Sequence, residues 1–190
     1  MDRPPIVSDA ENFTVDVYKN FASKSVTRVG RLGDLKYPAG ECADRPGNVY
    51  VAEFYGQDVV EYAHAGASRI KTLAAPGFPL GCSIDPTTGN LAVDDAQYLG
   101  GNATAIYQVA VSGSNETVVH TAVLTDSCSG SGDNTYVMQP WVTGSAVFGG
   151  NHSCKNRFGF WNYPGGGNPR RTLPSGIAPL DGIGATISRP

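Results

Sequence analysis

A repeat of 44 residues constrains this chain more than any other feature. Residues 6–29, IVSDAENFTVDVYKNFASKSVTRV, lie over residues 50–73, YVAEFYGQDVVEYAHAGASRIKTL, without a gap. Val7 meets Val51, Val15 meets Val59, Tyr18 meets Tyr62, Val26 meets Ile70 and Val29 meets Leu73. Apolar classes match wherever a strand must face a core. A second match precedes this one. PAGECADRPGNVYV (38–51) resembles PLGCSIDPTTGNLAV (79–93). Both carry an Asp before a Gly-Asn pair, between two apolar runs. That is a hairpin with a mechanism: the Asp side chain caps the turn, and Gly and Asn accept positive φ. Asp44 and Asp85 are therefore assigned to turn chemistry.

The third copy is looser. Asn134-Thr-Tyr136-Val137 stands where Asn90-Leu-Ala-Val93 stood, and Phe158 to Tyr163 stands where Ala105-Ile106-Tyr107 stood. This predicts an insertion of about a dozen residues within 140–156. Tyr18, Tyr62, Tyr107 and Tyr163 end the third strand of successive units. A last inner strand is expected at 179–187. Four short strands per period of ~40–45 residues describe a propeller blade. The expected fold class is all-β, a β-propeller of about four blades in one repeat domain, with units 1–36, 37–77, 78–125 and 126–178. Residues 179–190 would complete the first blade.

Gly (24) and Pro (13) supply the many turns such a fold needs. The net charge is −3 and no basic stripe occurs, which excludes nucleic acid as the expected partner. No apolar run approaches the ~18 residues of a membrane span, and no apolar segment of signal-peptide type follows Met1. Cys42, Cys82, Cys128 and Cys154 form no CxxC pair. They are expected as buried free thiols, with disulfides in an oxidising compartment as the alternative. Glycosylation sequons begin at Asn12, Asn102, Asn115 and Asn151, and matter only in a secreting eukaryote.

The segments GECADRPGNVYVAEFYGQDVVEYAHAG (40–66), GCSIDPTTGNLAVDD (81–95) and YPGGGNPRRTL (163–173) resemble the NHL-repeat and streptogramin-lyase-like propellers of bacteria, relatives of the gluconolactonases. The resemblance implies NHL-like four-stranded blades, either in a closed four-blade ring or as part of a six-bladed ring. It also implies an extracellular or periplasmic location.

Fold alone does not assign chemistry. A lactonase-type site needs a divalent metal held by hard oxygen ligands from several inner strands. Glu41 and Asp181 are the candidate metal ligands, with Asn151 as a third. The other account makes them solvated polar residues lining a channel. A lyase-type site needs a histidine base beside Mg²⁺, and His152 is the candidate catalytic residue. His64 and His120 are expected at peripheral positions. Trp141, Phe148, Asn151 and His152 are the candidate binding residues, since function concentrates on loops that interrupt a repeat. Two functions fit. The first is a non-enzymatic scaffold that binds a protein, peptide or carbohydrate on one face and needs no cofactor. The second is a lactonase- or lyase-type enzyme with one divalent metal, Ca²⁺ or Mg²⁺.

Overall fold

The structure is a computed structural model and describes residues 6–19, 25–63, 66, 68–101, 103–112, 115–126, 135–151 and 157–173. Apart from one helical turn, α1 (Tyr98–Gly101), the regular structure of these residues is β-strand. The chain divides into two compact units, Met1–Gly81 and Cys82–Pro190.

In the first unit, β1 (Ile6–Asp9), β2 (Thr14–Lys19) and β3 (Thr27–Leu32) form a three-stranded antiparallel sheet. A four-stranded sheet follows: β4 (Pro38–Ala43), β5 (Val49–Glu53), β6 (Asp58–Tyr62) and β7 (Arg69–Ala74), in sequence order. The 44-residue offset lays β1 on β5 and β2 on β6, as the matched apolar positions require. Both sheets feed one core of Val15, Val17, Leu32, Val49, Val51, Val60 and Tyr62. Leu35, in the connection between them, joins the same core.

The second unit contains β8 (Cys82–Ile84), β9 (Leu91–Asp95), β10 (Thr104–Ser112) and β11 (Asn115–Leu124), then β12 (Val137–Val142), β13 (Ala146–Asn151), β14 (Arg157–Asn162) and β15 (Gly166–Leu173). These are two four-stranded antiparallel meanders. A parallel bridge between β11 and β15, Leu124 opposite Gly167, joins them into one eight-stranded sheet. Its core collects Ile106, Ala122 and Leu124 with Val137, Val142, Val147 and Trp161.

The turn chemistry read at Asp44 and Asp85 is present in atomic detail. Asp44 Oδ1 accepts the N–H groups of Gly47 and Asn48 at 2.8 and 2.7 Å. Asp85 Oδ1 accepts Thr87 N–H at 2.9 Å, and its Oδ2 accepts from Thr88 Oγ1 and Gln108 Nε2. Gly47 and Gly89 sit at φ +104° and +75°, a region that favours glycine.

Two expectations need correction. Val137 begins the first strand of its sheet, not the second, and the second is β13. The extra residues therefore lie ahead of the predicted 140–156. The β11–β12 connection, 125–136, has twelve residues against seven between β7 and β8, and β10, β11 and the β9–β10 connection are each longer than their counterparts β6, β7 and the β5–β6 turn. The misplacement has a local cause. The β12–β13 hairpin lacks the Asp and Gly-Asn signature and turns through Gly144 at φ +85°. The short match Asn-Thr-Tyr-Val was then the only register available. The cysteines are the second correction. Cys42 and Cys82 are both disulfide-bonded, and no free cysteine occurs among the described residues. Burial suits a thiol and a disulfide alike, so composition did not separate them. Cys128, Cys154 and the inner strand expected at 179–187 lie outside the described residues.

Candidate functional site

In an antiparallel meander, the start of one strand lies beside the end of the next. The start of β4, the β5–β6 turn and the exit from β7 therefore share one end of the four-stranded sheet. The sequence puts an aromatic residue at each. Tyr37 precedes β4, Phe54 and Tyr55 form the turn, and Phe78 follows β7. Their rings cluster. Tyr37 and Tyr55 have centroids 4.9 Å apart, Phe54 and Tyr55 5.2 Å, and Phe54 and Phe78 5.4 Å. The tilted and edge-on geometries are those aromatic pairs prefer. Tyr55 is 68% exposed, the highest among the exposed large apolar side chains, while the other three are half-buried.

Backbone bonds tie these segments together. Phe54 N–H donates to the Tyr37 carbonyl at 3.1 Å, and Ala75 N–H donates to the Gln57 carbonyl at 3.1 Å. The Tyr62 hydroxyl donates to the Gly33 carbonyl at 2.9 Å, anchoring the start of the β3–β4 connection. Arg69 reaches the Asp34 carbonyl in the same connection.

Beneath the rings lies a pair of acids. Glu53 ends β5 and Asp58 begins β6, directly opposite each other across the turn. Glu53 has no exposed surface. Its Oε1 accepts Lys36 N–H at 2.5 Å. Its Oε2 and Asp58 Oδ1 are buried and have no donor. Burial, then the facing Asp58 carboxyl, push Glu53 up to about 7, against the lowering influence of Lys36 N–H and Arg69. The turn seals the pair. A Cβ on Gly56 would fall 2.6 Å from Asp58 Oδ1 and 2.9 Å from Glu53 Cβ.

Glu53 belongs to a repeated position. Asp9, Glu53, Asp95 and Asn151 are the last residues of β1, β5, β9 and β13. Each accepts a backbone N–H. Asp9 takes Asn12 and Asp95 takes Gln97, both within the turn, at 3.1 Å. Glu53 takes Lys36, just before β4, and Asn151 takes Tyr136, just before β12. The ungapped repeat already laid Asp9 on Glu53, so the signal was present.

The residues singled out in the sequence are dispersed. Glu41 lies on β4, half-buried, and its Oε2 accepts the Ser8 hydroxyl at 2.5 Å. Burial raises its proton affinity, opposed by the bonds from Ser8. Trp141 on β12 is 39% exposed. Phe148 on β13 is buried, directly opposite Trp141, with its ring 5.9 Å from that of Phe160 on the next strand. Arg171 on β15 continues the row and lies 6.0 Å over Phe160. Asn151 is fully buried with both amide ends engaged: Nδ2 donates to Asp126 at 3.1 Å. His64, His152 and Asp181 lie outside the described residues. His120 is on β11, with Nε2 2.8 Å from the Pro164 carbonyl. Among the described residues, no three His, Cys, Asp or Glu side chains come together as a metal set.

The burial of Asn151 separates the sequons. Asn12 and Asn115 are exposed, and Asn151 has no room for a glycan. Secretion from a eukaryotic host should yield folded protein glycosylated at Asn12 and Asn115 and bare at Asn151. Peptide mass spectrometry of the secreted fraction would check this.

No family model and no curated protein matches the sequence. Solved structures do match in fold. A functionally unknown protein from Desulfotomaculum acetoxidans aligns over 90% of this chain and 52% of its own, with a TM-score of 0.56 and 11% identity. A catalytically inactive virginiamycin B lyase from Staphylococcus aureus, solved with quinupristin, aligns over 82% and 47%, at 0.52 and 12%. Hydrazine synthase from Kuenenia stuttgartiensis aligns over 76% and 38%, at 0.52 and 11%. The chain thus spans between 38% and 52% of these structures. The lyase is a streptogramin-lyase-like propeller, and at such identities the likeness is one of fold: this chain is all-β and propeller-like.

Proposed function

We propose that this chain is a non-enzymatic, propeller-like binding module that takes a protein, peptide or carbohydrate partner on the loop end of the β4–β7 sheet. One observation carries this: four aromatic rings cluster at that end, with Tyr55 projecting into solvent. Rings offer broad, rigid contact area at low entropy cost, and buried aromatic anchors dominate many interfaces. Binding is favoured over hydrolysis because Glu53, whose proton affinity is strongly raised, is sealed. Glu53 has no exposed surface with which to touch a substrate.

Tyr55→Ala tests the proposal cleanly, since a surface change usually alters stability by no more than ~0.5 kcal/mol. Peptide and glycan arrays would be probed with the wild type and the variant, and each ligand measured by calorimetry. Loss of an anchor ring is expected to weaken binding at least ~10-fold, equivalent to ~1.4 kcal/mol. Ligands held equally well by both proteins would remove the β4–β7 end as the site.

We also infer that the meanders are about four NHL-type blades. The 44-residue repeat and the three four-stranded meanders β4–β7, β8–β11 and β12–β15, the last two joined in one eight-stranded sheet, support this. An extracellular or periplasmic location goes with it, supported by the disulfide-bonded Cys42 and Cys82, since such bonds persist in oxidising compartments.

A further inference from the structure

The aromatic end is assembled from two chain segments. One is the connection 33–37, carrying Tyr37. The other is the turn 54–57, carrying Phe54 and Tyr55. Glu53 joins them, because its Oε1 holds the Lys36 N–H while its own backbone carries the turn. The remaining carboxyl oxygens, Glu53 Oε2 and Asp58 Oδ1, are buried with no other donor. Two buried acceptors facing each other repel. One proton between them turns that repulsion into an O–H···O hydrogen bond.

We propose that the Glu53–Asp58 carboxyl pair is a proton-operated latch: with one proton shared it ties the 33–37 connection to the β5–β6 turn and holds the rings together, and with that proton lost it lets them separate. The inference rests on the binding function proposed for these rings and names its regulation.

The charged and titratable groups around the pair are few. The β3–β4 connection contributes Lys36 through its backbone and Asp34. Strand β6 contributes Asp58 and, at its far end, Tyr62. Strand β7 contributes Arg69, whose guanidinium is committed to the Asp34 carbonyl and lowers Glu53 only in part. None of these supplies a hydrogen-bond donor to Glu53 Oε2. A proton shared with Asp58 would satisfy it.

The sign follows from linkage. Glu53 moves from 4.5 in the open chain to about 7 when folded. Between those values the folded form binds more protons than the open one. Its advantage is full below pH ~4.5 and is lost as pH rises through ~7. The latch is therefore closed in mildly acidic conditions and open in alkaline ones.

Amide hydrogen exchange by NMR on the intact chain reads this without a ligand. Protection is corrected for intrinsic exchange rates. Lys36 and Phe54 amides are expected to lose at least ~10-fold of their protection between pH 5.5 and 8.5, because a local opening follows the lost proton. The Lys36 amide shift should titrate near pH 7. Glu53→Gln keeps an acceptor for Lys36 and adds a donor for Asp58, so it should hold high protection across the range. Asp58→Asn supplies the same donor from the other side and serves if Glu53→Gln fails to fold. A Lys36 midpoint near 4.5 would overturn the latch, as would a pH-dependent loss that persists in both amide variants. Suppression of the step by millimolar Ca²⁺ would overturn it too, by making the pair a cation site. Failure of Tyr55→Ala to weaken any ligand would remove the binding function and leave the exchange result standing.

Discussion

Replacing Trp161 with alanine is expected to lower the unfolding free energy by about 3–5 kcal/mol. That is a large part of the ~5–15 kcal/mol a domain commonly has. Trp161 is fully buried among Val142, Val147 and the β10–β11 residues Ile106 and Leu124. Its Nε1–H donates to the Thr125 carbonyl at 2.9 Å, so the truncation also orphans a backbone acceptor. The ring lies along its own strand over Gly159. A Cβ there would sit 2.1 Å from Trp161 Cη2. A rigid indole packed on all sides cannot yield by that much, so Gly159→Ala should cost about 1–3 kcal/mol by overpacking. The two changes are not independent. Once Trp161 is alanine, the three atoms nearest a Cβ at position 159 are gone and Gly159→Ala should cost much less. Urea unfolding followed by circular dichroism would measure the four corners of this cycle. An equal cost for Gly159→Ala with and without Trp161 would contradict the packing described.

The repeat was legible because strand alternation and turn chemistry act locally. Val15 and Val59 match since each faces a core, and Asp44 and Asp85 match since each caps a turn. The register failed at Val137, where a four-residue likeness outweighed a hairpin that lacks those caps. The paired acids were hidden for a different reason. Glu53 and Asp58 read as two ordinary polar residues in GQD-type turn sequence. Only the pairing of β5 with β6 puts them face to face, and only tertiary packing buries Glu53. The aromatic cluster needed the same step. Tyr37, Phe54, Tyr55 and Phe78 spread over 42 residues of sequence and meet because strand direction alternates. The sequence points instead to Trp141 and Phe148, near an expected insertion. There Phe148 proves to be buried within its sheet, and Trp141 remains partly exposed.

Loss of the bond at Cys42 or at Cys82 is expected to cost about 2–5 kcal/mol, the usual consequence of deleting a disulfide from a small domain. Each cysteine lies on the first strand of its meander, β4 or β8, and each is buried. Burial makes the response to reductant conditional. A thiolate must reach a sulfur to attack it, and access governs that rate. Dithiothreitol alone should therefore leave both cysteines unlabelled by iodoacetamide under native conditions. Added urea should expose them together with the core, since the strands that cover them are those that carry Val49, Val51, Leu91 and Val93. Cys42→Ala and Cys82→Ala should each lower the urea midpoint and raise the slope, because an unfolded chain without the cross-link is less compact and exposes more surface. The chain-entropy part of the effect lies in the unfolded state, so the folding rate should respond more than local exchange in β5 or β9. Rapid alkylation of both cysteines by reductant and iodoacetamide without urea would show that the bonds are open to solvent. Cysteines that label before any reductant is added would remove the disulfides, and with them the support for an oxidising compartment.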